Sequence, residues 1–363
     1  MKIFDWYILK RYLFTFFLML LLFIPIGITV NLAEKIDRIL ENKVPFEEVL
    51  AYYFDFTIYF ANLLFPLFLF LSVIWFTSKL ANNTEVVAFL SSGVSFFRFL
   101  RPYFIGGTVV AIVALFLGMY WAPKASKGFN EFTYRYLKNK KVIETQFIHQ
   151  QINDNEYIYV SNFDTKSMRG NNFTLEHFDG NELKYKIHAS AIRYNEKDSL
   201  YSLSNFYLRY LGQSNDSIIY QRKIDTLLDF DLLDLTPPNY VAETLNINEL
   251  SAFIDREESR GSSNINRYKV VQYKKWSLPV SVYILTIIAV AVSSKKRRGG
   301  MGVNLAFGII IAMVYVFFDK VFGVMAEQSD FSPIIAVWFP NFIFGILAIY
   351  LLYNACLLYT SDA

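Results

Sequence analysis

A single acid on a short amphipathic segment is the residue of this sequence that is best placed to bind a partner protein. The segment, residues 82–102, reads NNTEVVAFLSSGVSFFRFLRP and lies between two long apolar runs. Its single acid, Glu85, precedes two arginines, Arg98 and Arg101. A carboxylate beside an apolar helical face can dock on a basic or hydrogen-bonding groove of another protein. It can also lie solvated on a membrane surface, so the location of the segment decides its role.

Membrane spans dominate the rest of the chain. Of its 363 residues, 54% are hydrophobic and 18% aromatic, which exceeds the usual share in soluble domains. A bilayer core requires about 20 apolar residues per helix. Six stretches without Asp, Glu, Lys or Arg meet or approach this length, and we expect spans at residues 12–32, 56–76, 103–122, 276–293, 303–318 and 334–353.

The basic residues of the short loops give the expected orientation. Lys10 and Arg11 precede the first span, Lys79 follows the second, and the run KKRR at 295–298 follows the fourth. Cytoplasmic loops of membrane proteins are enriched in Lys and Arg. We therefore expect the N-terminus inside the cell and the long segment 123–275 outside it.

A β domain is expected in that outside segment. In LKYKIHASAI, residues 183–192, Leu183, Tyr185 and Ile187 alternate with polar residues, which is typical of a half-buried strand. The preceding FDGNE, residues 178–182, indicates a hairpin turn, and several such strands separated by turns favour a sandwich or a jelly roll. Pro237 and Pro238 then break the sheet. The stretch 246–261 is expected to be a helix with Gly after its end, and a second short helix at about 264–276 leads back to the membrane.

The fold class is thus an α-helical membrane protein with six transmembrane helices plus an extracytoplasmic all-β, jelly-roll-like domain. One cysteine, Cys356, excludes an internal disulfide. The tail that begins there, CLLYTSDA, is expected to be non-native. The predicted domains are residues 1–137 with a cytoplasmic helix at about 80–96, the β domain at 138–242, return helices and three spans at 243–355, and the tail at 356–363.

Catalytic and cofactor sites are not predicted. The three histidines, His149, His177 and His188, all lie in the predicted β domain, and no spacing of acids or cysteines around them supports a metal site. No Gly-rich phosphate loop, Ser-centred elbow or HExxH motif is present in the sequence. We expect neither a cofactor nor an enzyme, and any ATP must be hydrolysed by another chain.

Three stretches together resemble a transporter family. They are NTEVVAFLSSG at 83–93, LSAFIDREESRGSSNINRYKVVQYKKWSLPVSV at 250–282, and GGMGVNLAFGIIIAMVYVFFDKVFG at 299–323. With the order of three spans, β domain, return helix and three spans, they are similar to the LptF/LptG lipopolysaccharide export permeases. The second and third stretches lean slightly towards LptG. The resemblance covers the chain to about residue 355.

The resemblance implies a function and partners. The chain is expected to be the permease subunit of an ABC transporter that extracts lipopolysaccharide from the bacterial inner membrane and passes it to a periplasmic bridge. A cytoplasmic LptB-type ATPase dimer, a second LptF/LptG-type permease in a heterodimer, and LptC/LptA-type bridge proteins are the implied partners. The β domain lies in the periplasm, and no nucleic acid is involved.

Within this scheme the opening segment couples the permease to its ATPase. Glu85 is expected to meet a basic or hydrogen-bonding partner there, beside an apolar docking face of Val86, Val87, Phe89 and Leu90. The alternative is a membrane-surface helix with a solvated acid. Arg98 and Arg101 are interpreted as positive-inside anchors.

Two further sets of residues are expected to contact the lipid. Lys35, Arg38 and Lys320 close the outer ends of spans one and five and are expected to contact lipid phosphates; the alternatives are snorkelling or pairing with neighbouring acids. Leu183, Tyr185 and Ile187 are candidates for the lining of an apolar lipid path, and the alternative is that they form core.

Two other functions remain open from the sequence. A mechanotransmission permease would drive a periplasmic partner without carrying lipid itself. A membrane-bound enzyme that modifies lipid or glycan would place acids or histidines at the outer interface.

Overall fold

The structure, a computed structural model, describes most of the chain. The described residues are 3–137, 145–164, 167–195, 200–212, 215–228, 230, 240–262, 264–296, 300–329 and 331–360. Arg297 and Arg298 of the basic loop, Pro237 and Pro238, and the last three residues of the tail lie outside them. The chain divides into two compact units, one formed by residues 1–132, 242–250 and 266–363, and the other by residues 133–241 and 251–265.

Long apolar helices build the first unit, and six of them are long and apolar enough to cross a membrane, as predicted. Inside a bilayer only helices or closed barrels satisfy every backbone donor and acceptor, which explains their length. The helices of the chain are α1 (Ile3–Glu41), α2 (Phe46–Asn82), α3 (Glu85–Ser91), α4 (Phe96–Phe116), α5 (Ala122–Phe132), α6 (Val241–Thr244), α7 (Ile247–Ser259), α8 (Ile265–Ser293), α9 (Met301–Gln328) and α10 (Pro333–Thr360). A π-helical turn, Leu117–Trp121, joins α4 to α5.

One helix boundary differs from the sequence-based expectation. The short helix predicted at 264–276 is continuous with the fourth span in α8, which passes Pro279 without ending. A proline removes one backbone donor and kinks a helix, but membrane helices tolerate it because neighbouring helices and Ser or Thr side chains can satisfy the freed backbone groups. The α8 helix therefore runs without a break from its polar start into its apolar segment.

Helices α1 and α4 approach each other closely at Gly106. The hydroxyl of the buried Tyr12 lies 3.4 Å from the carbonyl oxygen of Tyr103, to which it donates, and the two rings stack at 5.5 Å. The hydroxyl of Thr77 in α2 donates to that of Tyr103 at 2.8 Å. Small residues let helix backbones approach, and hydrogen bonds between helices hold them together in a bilayer. The three helices thus meet at the buried Tyr103, which accepts hydrogen bonds from α1 and α2.

The second unit contains a six-stranded antiparallel sheet. Its strands are β1 (Thr145–Asn153), β2 (Glu156–Asp164), β3 (Arg169–Asp179), β4 (Glu182–Asn195), β5 (Leu200–Tyr210) and β6 (Ser217–Thr226), paired in sequence order. Val160, Phe163, Phe173 and Leu203 are fully buried and belong to one core cluster. The expected all-β domain is present; its described strands form a meander, and the jelly-roll closure stays a prediction.

The β4 strand begins at the turn that the sequence predicts. Gly180 has a positive φ of 61° and, with Asn181, connects Asp179 to its cross-strand partner Glu182. A glycine at the first turn position gives the twist that antiparallel strands need. This turn sets the register, and Leu183 and Tyr185 alternate with the exposed Lys184 as predicted.

We expect a methyl group at Gly106 to disturb the α1–α4 contact. An added Cβ would overlap the Tyr12 hydroxyl, whereas the nearest atom to a Cβ at the adjacent Gly107 lies 3.9 Å away. Because overpacking a tight contact costs about 1–3 kcal/mol, Gly106→Ala should lower the thermal unfolding temperature of the purified protein. Gly107→Ala is the matched control and should leave it unchanged or raised. Equal behaviour of the two variants would contradict the close approach.

Candidate functional site

The short helix α3 is held between two sharp turns. Thr84, which precedes it, has a left-handed backbone with φ of 62°, and Gly93 after it has φ of 81°. Ser95 then caps α4, its side chain accepting from the backbone N–H of Arg98 at 3.3 Å. Caps and left-handed residues end helices at fixed positions. These turns therefore fix α3 as a separate seven-residue helix across the ends of α2 and α4.

Glu85 lies at the first position of α3 and is half-buried. The Tyr7 hydroxyl donates to one carboxylate oxygen at 3.4 Å, and the Asn83 side-chain amide donates to the other at 3.1 Å. Both donors are neutral, and a helix N-terminus favours negative charge. The carboxylate is thus oriented by its own chain while its charge is available to a cationic partner.

The four apolar residues assigned to the docking face divide into two groups. Val86 is fully buried in the helical core, and Phe89 and Leu90 pack against the same core. The Phe89 ring stacks on that of Phe4 in α1 at 4.0 Å. Val87 is 45% exposed. The outward surface of α3 therefore consists of Val87, Ala88 and Ser91 beside Glu85.

At the far end of the spans, away from α3, Lys35 turns towards neighbouring helices. Its ammonium group lies 3.4 Å from the Tyr52 hydroxyl, which donates in turn to Asn31 at 3.1 Å. It also lies 5.8 Å from the centre of the Phe129 ring. Lys35 is half-buried in this cage, whereas Arg38, one turn further along α1, is exposed. The two residues predicted as one phosphate site therefore have different surroundings.

Lys320 lies at the far end of α9 beside a cleft and an ion pair. The adjacent Asp319 accepts from the Lys274 ammonium group in α8 at 3.1 Å. The cleft has a volume of about 230 Å³ and is lined by Lys274, Asp319 and Lys320 together with residues of α2, α8 and α9. Burial raises the pKa of Glu243, which interacts electrostatically with both lysines. Lys320 itself is exposed.

The predicted lipid-path residues lie along β4. Tyr185 and Ile187 pack against the core of the sheet, and Leu183 is half-buried nearer the turn. The Tyr185 hydroxyl donates to Glu156 at 2.9 Å, and its ring stacks on His177 at 4.8 Å. Burial and this hydrogen bond raise the pKa of Tyr185 to about 12. The strand thus offers an apolar face that is only partly covered.

Metal chemistry has no support in the residues that the structure describes. Among them, no group of three or more His, Cys, Asp or Glu side chains converges on a common point. His177 contacts Glu156 at 3.3 Å, His188 contacts Thr174 at 3.4 Å, and the ring of His149 lies against that of Tyr159. Each histidine side chain therefore contacts a different strand neighbour.

One family model matches nearly the entire chain, from the start of α1 into α10. The model describes the lipopolysaccharide export system permease LptF/LptG and matches residues 6–354. The chain belongs to the LptF/LptG family. This is a family of transport permeases and not of enzymes, and the resemblance predicted from the sequence is confirmed. A comparison with curated protein sequences finds no match. The lean towards LptG stays a prediction.

In this LptF/LptG-family chain, Arg98 has a structural contact that the sequence analysis missed. Its guanidinium donates to Asp5 at 2.7 Å, and the Asp5 side chain is only 2% exposed. A buried acid is stable only when it is paired and hydrogen-bonded. The contact joins the start of α4 to the start of α1 beside α3. The signal in the sequence was Asp5 itself, an acid within an otherwise apolar helix start.

We expect the Asp5–Arg98 pair to stabilise the α3 end of this LptF/LptG-family chain. Arg98→Gln removes the guanidinium from a buried carboxylate and should cost about 3 kcal/mol of unfolding free energy. Arg101→Gln, which changes an exposed arginine one turn away, should cost no more than about 0.5 kcal/mol. Thermal unfolding of the two purified variants measures the difference.

The double variant Asp5→Asn with Arg98→Gln tests whether Arg98 stabilises the protein through its pairing with Asp5 or through other contacts of the arginine. Because it neutralises both partners, it should regain most of the lost stability. If the two single changes simply added in the double variant, the pair would have no stabilising role.

Proposed function

We propose that this chain is the permease subunit of an ABC transporter that extracts lipopolysaccharide from the inner membrane and passes it to a periplasmic bridge. The observation that carries the proposal is the LptF/LptG family match over residues 6–354. The ATP is hydrolysed by a separate cytoplasmic dimer of the LptB type, and a second LptF/LptG-type permease completes the membrane part. LptC/LptA-type proteins receive the lipid.

Extraction of a lipid from a bilayer is energetically demanding. Each CH₂ group removed from the bilayer costs about 0.8 kcal/mol, so one chain of about twelve methylenes costs on the order of 10 kcal/mol. The lipid must therefore remain in contact with apolar protein surface, and the energy must arrive through a mechanical connection to the ATPase. The α3 helix and the β4 face are the proposed elements for these two tasks.

The contacts of α3 support its role as the mechanical connection. Val86 is embedded in the core, Phe89 stacks on Phe4 of α1, and the Phe89 ring lies 6.0 Å from that of Phe99 in α4. Because packed cores do not deform smoothly, force applied to the exposed surface of α3 acts on the ends of α1 and α4. Val87, Ala88 and Ser91 then form the docking surface, and Glu85 supplies its charge.

Charge placement supports the orientation. The exposed basic residues Lys79, Arg101, Lys295 and Lys296 flank the α3 end of the spans, which by the positive-inside rule is cytoplasmic. The β domain then lies in the periplasm. Arg38 and Lys320, both exposed at the far end, are the proposed contacts for lipid phosphates. Lys35 contributes once it leaves the Tyr52 hydroxyl.

The experiment that tests the proposal is co-purification. The chain is expressed in a Gram-negative host with the second permease and the ATPase, purified in mild detergent, and analysed for ATPase subunits and for lipopolysaccharide. We expect both. An ATPase without lipid would favour a mechanotransmission permease, and the absence of both would overturn the transport proposal.

Charge reversal at Glu85 should weaken the ATPase contact. The change loses a charged hydrogen-bonding partner and places like charges together, and loss of one partner of such a pair costs about 2–5 kcal/mol. Glu85→Lys should therefore lower the co-purified ATPase at least tenfold, and Glu85→Gln should lower it less. The measurement is the ATPase-to-permease ratio at one salt concentration.

Two control variants keep this result interpretable. Asn82→Lys places the same charge on an exposed neighbour and should retain the ATPase. Tyr7→Phe removes only the internal hydrogen bond to Glu85 and should also retain it. Wild-type behaviour of Glu85→Lys would mean that the acid is only a solvated residue.

Photo-crosslinking along β4 should identify the lipid path. A photoreactive amino acid at Leu183 or Ile187 lies on the apolar face of the strand, and one at the adjacent Lys184 or Lys186 lies on the other. We expect covalent capture of lipopolysaccharide in the assembled, ATP-supplied transporter from the first pair at several times the yield of the second. Equal yields would assign Leu183, Tyr185 and Ile187 to the core alone.

A further inference from the structure

The face of the sheet opposite its core carries a cavity. Along β2, Ile158 and Val160 are buried in the core, so Tyr157 and Tyr159 lie on the other face, here called the outer face, because side chains alternate along a strand. Ile187 of β4 packs against the core, and the cavity is therefore on the other side of the sheet from it. The cavity has a volume of about 390 Å³, and its lining includes His149, Tyr157, Tyr159, Thr174, Glu176 and Lys186.

The strand register explains why a cavity forms at this place. Thr174 of β3 is directly opposite Tyr159 of β2 and His188 of β4. Side chains that are directly opposite in antiparallel strands lie close enough to touch. Thr174 is much shorter than either neighbour and is only 8% exposed between them. It therefore forms the floor of the cavity, and the longer side chains around it form the walls.

Aromatic rings supply the apolar part of these walls. The Tyr157 side chain is 42% exposed, and the ring of Tyr159 is braced by that of His149, with the two centres 4.4 Å apart. The face of an aromatic ring is apolar and carries partial negative charge. It therefore attracts C–H groups with partial positive charge, such as those on the face of a sugar ring. The walls suit a flat ligand with an apolar face and a polar edge.

An ion pair supplies a donor and an acceptor side by side. The Lys186 ammonium group donates to the Glu176 carboxylate at 2.6 Å, and the two side chains are 40% and 32% exposed. Because a charged ligand would meet a like charge here, the cavity favours an uncharged one. An N-acetylated amino sugar has the matching order of groups, since its amide N–H can donate to the carboxylate while the neighbouring ring hydroxyl accepts from the ammonium group. The volume of about 390 Å³ lies within the range of about 300–1,000 Å³ usual for small-molecule sites.

We propose that the outer-face cavity binds an uncharged, N-acetylated amino-sugar ring of the cell-wall glycan. The ring stacks on Tyr157 and Tyr159, its amide N–H donates to Glu176, and the neighbouring hydroxyl accepts from Lys186. The chemistry of the ring follows from the cavity alone. The choice of the wall as its source rests on the proposed periplasmic position of the β domain. Binding of this kind tethers the β domain to the wall and leaves the Ile187 face of the sheet open.

The test is saturation-transfer NMR on the intact protein in lipid nanodiscs, which avoid the sugar head groups of maltoside detergents. The probe is N,N′-diacetylchitobiose, an uncharged disaccharide of N-acetylated amino sugars. We expect saturation transfer to its ring and acetyl protons that reaches a plateau as the probe is titrated. Maltose is the matched control of similar size, and it should bind about fivefold more weakly because it lacks the acetyl groups.

Two variants test the two parts of the site, each with a matched control. Tyr157→Leu removes an aromatic wall and should weaken binding about fivefold. Tyr207→Leu, at a ring on the outer face that is 44% exposed and outside the cavity lining, should not. Glu176→Gln removes the charged acceptor and should weaken binding about tenfold, whereas Glu182→Gln, at an exposed acid of β4, should not. Unfolding temperatures establish that each variant is folded, and either variant pair decides by itself.

Three outcomes would overturn the proposal. Absence of saturation transfer, or equal transfer in the wild type and in Tyr157→Leu and Glu176→Gln, would mean that the cavity binds no sugar. Tighter binding of lipid-free oligosaccharide released from lipopolysaccharide would make the exported lipid the source of the ring. Tighter binding of an uncharged peptide such as Ala-Gly-Ala would assign the cavity to a protein partner.

Discussion

The hydrocarbon core of the bilayer is the constraint on which the arrangement of this protein depends. It contains no water, so backbone groups must pair within helices, and charged side chains are costly unless they reach an interface or a partner. The six spans consequently carry their charges near their two ends. Asp5, Glu85 and Arg98 gather at one end, and Lys35 and Lys320 lie at the other. Every candidate site of the helical unit lies at one of these two levels, because a charged side chain deeper in the hydrocarbon core would cost too much free energy.

The short length of α3 explains why this proposed docking element is also part of the helical core. A seven-residue helix is too short to be stable by itself in water, so it has to bury side chains against its own chain. Val86, Phe89 and Leu90 provide this burial. Only the remaining surface is available to a partner, and that surface is small and weakly apolar. An oriented carboxylate, Glu85, therefore has to supply most of the specificity, while the buried residues supply the rigidity.

Much of this architecture could be predicted from the sequence, because hydrophobic length and strand alternation are local signals. The spans, the hairpin turn at Gly180 and the alternation of β4 follow from runs of about 10 to 20 residues. Contacts between distant residues do not follow from such runs. Asp5 and Arg98 are 93 residues apart, and the interpretation of Arg98 as a simple anchor overlooked the pair. The inward turn of Lys35 towards Tyr52 and the side of α3 that faces the core likewise depend on packing between helices, which periodicity alone does not specify.

The two ion pairs of the helical unit differ in a way that suits different tasks. In the Asp5–Arg98 pair the acid is 2% exposed and joins the start of α1 to the start of α4. Separation of such a pair leaves a buried charge behind, so the pair favours one fixed arrangement. In the Lys274–Asp319 pair both side chains are about a third exposed and border an open cleft. Exposed pairs contribute little stability, so Lys274 can exchange Asp319 for another anionic group at small cost. The closed pair is therefore suited to hold α1 and α4 in one arrangement, and the open pair to exchange partners.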